Sequence, residues 1–319
     1  MLSRVADSLY WMSRYLERAE HTARLIDVNL NLMLDDSASA VDQRWQRVLK
    51  ALGRPEGSSW TGDPYRLANI MTFDSAKPYS IVSHIIAARE NARQVREQIS
   101  SEQWWELNRL YHDFTRKDGT GIRESQVSDA LQAVQEGLYL FQGVTDSTMS
   151  HGEGWHFIQC GKYMERASAT AMLLDVYTAE FGAHPDRMHQ GSEYLEWIGL
   201  LRSCAAFEAY CRVYTADLNP ERILDFLLLN SEFPHAVRYA VDSMQSALEA
   251  IRGEAGKRSA ALTRQAGRLK SSLSFADIGE IVAQGANTYL EDIFRQCQAI
   301  HRIIYQLYIN YSIEAALTG

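Results

Sequence analysis

Ten apolar residues open the chain at alternating spacings of three and four: Leu2, Val5, Leu9, Met12, Leu16, Ala19, Ala23, Ile26, Leu30 and Met33. A 3.5-residue period sustained that far is the seam of one long helix packed lengthwise in a bundle. The prolines carry the same message along the chain. There are six, with none before Pro55, none between Pro78 and Pro185, and none after Pro234. Proline breaks helix interiors, so those gaps leave room for uninterrupted helices. Alternating β-branched and polar residues between turn clusters, the mark of strands, are nearly absent. The fold class is all-α.

Helix starts follow from caps. Asp63-Pro64 and Asn219-Pro220 each place a cap residue before a proline at the first helical position. Ser101 precedes Glu102, and Ser274-x-x-Asp277 reads as a start resembling a capping box. The pattern predicts helices near 3–34, 40–52, 64–72, 78–99, 102–116 and 124–149. A second series follows near 154–181, 191–214, 220–229, 234–252, 256–272 and 276–313.

The two series match one another. Residues 14–28 (RYLERAEHTARLIDV) align with 162–176 (KYMERASATAMLLDV) at an offset of 148, with nine of 15 positions identical. Trp45 meets Trp197 at an offset of 152, and Pro64/Pro220, Arg66/Arg222, Ser75/Ser231 and Pro78/Pro234 all fall at 156. The expected architecture is a single domain over 1–319, a bundle of about twelve helices. It is an internal duplication of a six-helix unit about a pseudo-twofold axis, with copies near 1–150 and 151–319.

At the centre of each copy stands a Glu-Arg dipeptide, Glu17-Arg18 and Glu165-Arg166. In the first copy, Tyr10, Arg14, Glu17, Arg18, His21 and Arg24 share helical spacing beside the seam. Two readings stay open. In one, the dipeptides pair structurally across the pseudo-axis, Glu17 with Arg166 and Glu165 with Arg18. Arg18→Ala is then expected to lower thermal stability by several degrees. In the other, Glu17 is a general base or ligand, and Arg14, Arg18 and His21 line a site for an anion or carboxylate. His21 and Arg24 become Ala169 and Met172 in the second copy, which would put such a site at the first.

Three weaker features accompany the motif. Arg89, Arg93 and Arg96 lie on one helix face, either solvated and partly neutralised by Glu90 and Glu97 or able to hold phosphate. Gly152-Glu153-Gly154-Trp155 precedes the second seam helix, either a simple turn or a phosphate contact through free N–H groups at the helix start, and Asp118-Gly119-Thr120-Gly121 is a fainter version. Glu153-x-x-His156 and Glu232-x-x-His235 resemble the paired units of di-metal bundles, but they sit at non-equivalent places, so no metal site and no cofactor is expected. No P-loop, nucleophile elbow or zincin motif is present.

The net charge of −8 argues against nucleic-acid binding, which needs a basic face. Four cysteines without CxxC spacing argue against a disulfide scaffold or structural zinc. No apolar run is long enough to cross a bilayer, and the opening residues lack a signal-peptide pattern, so a cytoplasmic protein without a membrane segment is expected.

The blocks LSRVADSLYWMSRYLERAEHTARLID at 2–27, AARENARQVREQIS at 87–100, GWHFIQCGKYMERA at 154–167, LLRSCAAFEAY at 200–210 and FLLLNSEFP at 226–234 resemble the bacterial alpha-E superfamily. The likeness spans nearly the whole chain, with Lys162 where the family tends to carry Arg. It implies a setting beside circularly permuted ATP-grasp proteins and transglutaminase-like proteins, in a system that makes or modifies peptides through ATP-dependent amide bonds. The motif carries over onto Arg4, Tyr10, Trp11, Arg14, Glu17, Arg18, Arg89, Asn91, Arg93, Trp155, Glu165 and Arg166. The resulting expectation is an accessory, scaffolding or substrate-presenting partner of an ATP-grasp-type ligase, holding a peptide or carboxylate near the Glu-Arg core. The alternatives are an enzyme with Glu17 as base and an arginine cluster of Arg14, Arg18, Arg89 and Arg93, or a helical metalloprotein.

Overall fold

The seam residues from Val5 to Met33 are all buried in the computed structural model, which describes residues 3–33, 38–53, 60–115, 124–182, 191–215, 217–251 and 260–309. Those up to Leu30 form one face of α1 (Ser3–Leu32), and the matching segment forms α7 (Glu153–Phe181). Between them run α2 (Ala38–Ala51), α3 (Pro64–Phe73), α4 (Ile81–Gln94), α5 (Ser101–Thr115) and α6 (Glu124–Thr148). After α7 come α8 (Gly191–Ser203), α9 (Phe207–Tyr214), α10 (Pro220–Leu229) and α11 (Val237–Ile251). The chain continues through α12 (Ala260–Ser274), α13 (Ile278–Gln284) and α14 (Ala286–Ile304), closing on a wide turn over Tyr305–Ile309. The described residues contain no strands.

Among the described residues fourteen helices replace the expected twelve because two long segments break. The 191–214 segment breaks after Ser203, where Ala205 takes a left-handed conformation (φ 51°), and the 276–313 segment breaks at Gly285 (φ 96°). A positive φ cannot continue a right-handed helix, and at Gly285 no Cβ opposes it. Residues 310–313 lie outside the described residues.

The proline caps hold: Asp63 accepts from the Arg66 amide at 3.0 Å and Asn219 from the Arg222 amide at 3.2 Å. Two other starts shift. Ser100, not Ser101, caps α5, and it exchanges bonds with Gln103 in a capping box: Gln103 N to Ser100 Oγ at 3.1 Å and Ser100 N to Gln103 Oε1 at 2.8 Å. Asp277 itself caps α13, accepting from the Glu280 amide at 3.0 Å.

Packing centres on α1 and α7, which run against each other. Around them, α1 packs on α4 and α6, while α7 packs on α11 and α14. The next helix of each series crosses over, α2 reaching α7 and α8 reaching α1. Trp45 on α2 and Trp197 on α8 are both buried beneath these crossings. The two helices approach tightly at Gly161: a Cβ there would lie 2.3 Å from the Tyr10 carbonyl oxygen and 2.2 Å from Ser13 Oγ. Only glycine lets the two backbones meet this tightly, and that contact sets the register of the Glu-Arg dipeptides one turn away on each helix.

Candidate functional site

The dipeptides face each other across the α1–α7 crossing. Arg166 donates from Nε to Glu17 Oε1 at 2.5 Å and from Nη2 to Oε2 at 2.9 Å, a bidentate pair with side chains 5% and 3% exposed. Arg166 Nη1 also reaches the Pro234 carbonyl at 3.3 Å. The opposite pair is a three-residue clamp. Glu165 accepts from Arg14 Nε at 2.7 Å on one oxygen and from Arg18 Nε at 2.5 Å on the other. Burial opposes ionisation of Glu165, but the two guanidiniums win and hold its pKa down to about 2.

Arg14 does more than neutralise. Its Nη1 donates to His301 Nδ1 at 3.1 Å and reaches the Tyr10 hydroxyl at 3.5 Å. An arginine can only donate, so Nδ1 is an acceptor and the imidazole proton sits on Nε2. Burial first, and then Arg14, depress the His301 pKa to about 4, so the ring is neutral at pH 7. The Arg14 guanidinium also lies 4.7 Å from the Trp11 ring centroid, a cation–π contact that fixes its plane.

The two sides of the motif differ in openness. Glu165, Arg14 and Arg18 line a cavity of about 310 Å³ between α1, α4, α7 and α14, together with His21, His84 and His301. Glu17 is absent from that lining and borders crevices of about 30 and 10 Å³. The carboxylate at the cavity is therefore the one from the second series, where the sequence pattern favoured Glu17. His21 joins both spaces; burial lowers its pKa, and its buried Nε2 has no hydrogen-bond partner among the described residues.

The remaining expected ligand residues lie elsewhere. Arg89 bonds Asn108 at 2.7 Å and packs over Trp104 and Tyr111, joining α4 to α5. Arg93 is exposed and takes both oxygens of Glu90. Trp155 stacks on His151 at 4.1 Å at the start of α7, with its indole nitrogen buried and without a hydrogen-bond partner among the described residues. None of the three lines the large cavity. Glu232 lies outside any helix, and among the described residues no three His, Cys, Asp or Glu side chains gather as a metal site. The Asp118–Gly121 turn lies outside the described residues.

Two features are not apparent from the sequence patterns. His301, Met172 and Phe294 complete the cavity, yet His301 is 287 positions from Arg14, and nothing local marks such a meeting. The second is an ion cluster anchoring α2. Arg47 donates to both oxygens of Glu180 at 2.8 and 2.7 Å and to Glu196 at 2.5 Å, while Arg44 reaches Glu196 at 3.0 Å. Arg44 and Glu196 stand at the same offset of 152 as Trp45 and Trp197, a signal the sequence did hold.

Comparison with known proteins places this geometry. The Alpha-E family, described as "a predicted alpha-helical domain with a conserved ER motif", matches residues 1–309. An uncharacterised protein of Mycobacterium bovis is 24% identical over 273 residues, which cover 79% of this chain and 30% of that protein. Uncharacterised proteins of Mycobacterium tuberculosis are 24% and 23% identical over the same shares. The chain thus spans about a third of the length of the curated relatives it matches. No solved structure matches. The chain belongs to the Alpha-E family, and its two Glu-Arg dipeptides form the ion pairs described above, one buried and one bordering the cavity.

Proposed function

We propose that this Alpha-E chain is a non-catalytic, substrate-presenting partner of an ATP-grasp-type amide ligase of circularly permuted architecture, working on peptides in the cytoplasm. A transglutaminase-like protein belongs to the same system. The observation that carries the reading is the use made of the Glu-Arg motif. Its charges are spent on locking α1 to α7, and the cavity beside it is walled by groups in unreactive states. Glu165, held near pKa 2, is a poor base at neutral pH. The Cys297 thiol is pushed up by burial to about 12, so it is no nucleophile. His301 is neutral and weakly basic.

The span of the relatives agrees with a supporting role, because a unit forming 30% of a longer chain acts beside other units. The matched packing of the two series supports an origin by duplication, each copy supplying one dipeptide to the lock. No helix among the described residues is long and apolar enough to cross a membrane, and all four cysteines are free, which fits a reducing compartment. The rival enzyme reading needs Glu17 as base, but both its oxygens are taken by Arg166 away from the cavity.

Affinity purification of the tagged full-length protein from its own cells, with mass spectrometry, tests the proposal. Recovery of an ATP-grasp protein, and ATP-dependent amide formation by the complex, is the expected result. A partnerless protein under gentle conditions overturns it.

A further inference from the structure

The clamp at Glu165 leaves an unusual remainder. It consumes the Nε of both arginines, and Arg14 Nη1 is committed to His301 and Tyr10. The terminal nitrogens of Arg18 have no hydrogen-bond partner among the described residues, and its side chain stays 33% exposed on the cavity wall. Two guanidiniums against one carboxylate leave one positive charge there. Burial lowers the pKa of both His21 and His301, so neither adds to it.

Glu165 is already outnumbered by two guanidiniums, each donating a charged Nε–H to one of its oxygens, so an amine entering here meets net positive charge. Its part is to hold the Arg18 guanidinium by one edge, so that the free edge is pre-oriented and little rotamer freedom remains to be lost on binding. The same cavity has Met71, Met164, Met172, Leu52, Pro78 and Phe294 in its wall. Methionine thioethers adapt to the shape of an apolar guest. A space of about 310 Å³, walled by both apolar and polar side chains, has the size of a small-molecule site.

We infer that the cavity binds a small monocarboxylate with an apolar body, its carboxylate on the free N–H groups of Arg18 and its body against the methionine wall. This rests on the substrate-holding part of the proposed function and names its ligand class. It needs neither partner nor ATP, so it is tested on the isolated full chain. A failure of partner capture leaves the binding result standing, and the reverse holds too.

The experiment is calorimetric titration with phenylacetate and hexanoate, with hexylamine, acetate and inorganic phosphate as comparisons. Saturable one-to-one binding of phenylacetate or hexanoate is expected, with acetate and phosphate much weaker and hexylamine not binding. Arg18→Gln is expected to weaken phenylacetate at least about tenfold, the loss of one charge-assisted hydrogen bond, while Arg14 keeps Glu165 paired and the fold intact. Met172→Trp fills the apolar wall and is expected to abolish binding with Arg18 unchanged, which gives a second arm should Arg18→Gln misfold. Hexylamine binding, phosphate binding as well as phenylacetate, unchanged affinity in both variants, or no carboxylate binding up to about 10 mM would each overturn the inference.

Discussion

Arg166 grips Glu17 with two parallel N–H donors, at 2.5 and 2.9 Å, inside the α1–α7 crossing. The counterpart carboxylate, Glu165, is shared by two arginines on α1 instead of one. One side of the motif is thus closed and the other faces a cavity. Removing one member of the closed pair leaves a charge buried with no counterion. Removing either arginine of the open clamp leaves Glu165 the other.

That difference revises the expectation for Arg18→Ala. Glu165 keeps Arg14, whose side chain is 10% exposed against 33% for Arg18. The loss is therefore expected to be near that of an exposed pair, about 1 kcal/mol or less. Arg14→Ala, which also unties His301 and Tyr10, is expected to cost more. Urea unfolding of the two variants checks the order.

Gly161→Ala is expected to be among the most damaging small substitutions in the chain. Its methyl would stand 2.3 Å from a backbone oxygen of α1, so a helix and not a side chain has to move. Overpacking of this kind costs about 1–3 kcal/mol or more. Gly143→Ala, where a Cβ meets nothing within 4 Å, serves as the control with little or no loss. Thermal melts of both variants decide the point.

Acid should destabilise the protein in two stages. Burial lowers the His301 pKa from 6.5 to about 4, and His21 and His235 are also lowered by burial. The unfolded chain binds protons at these rings first, so stability falls as pH drops from 6.5 towards 4. Glu165 is depressed from 4.5 to about 2, so its contribution is complete above 4.5 and fades as pH falls through 2. Melting temperatures between pH 8 and 3 are expected to decline already below 6.5. His301→Gln is expected to flatten the first stage.

Much of this fold is legible in the sequence. The seam in α1, the proline caps at Asp63 and Asn219, and the repeated YxER blocks are local patterns, and local patterns set helix positions. The breaks at Ala205 and Gly285 are not legible, because a positive φ at Ala205 arises from packing and a lone glycine does not announce a helix end. The cavity is harder still. Arg14, Arg18 and His21 share one helix face, so the sequence groups them, but His301, Phe294 and Met172 reach them only through the tertiary arrangement of α7 and α14. Which dipeptide borders the cavity is not legible for the same reason: the two are alike in sequence, and only their neighbours differ.

The central claim is that the Glu-Arg motif is a structural lock. A double-mutant cycle on Glu17→Leu and Arg166→Leu, read by urea unfolding, tests it most directly. Each single variant is expected to lose about 3–5 kcal/mol by stranding a buried charge. The double variant, with no charge left to strand, is expected to recover much of that, giving a coupling energy on the order of 2 kcal/mol or more. Single variants within about 0.5 kcal/mol of the parent, with losses that simply add, would contradict the account.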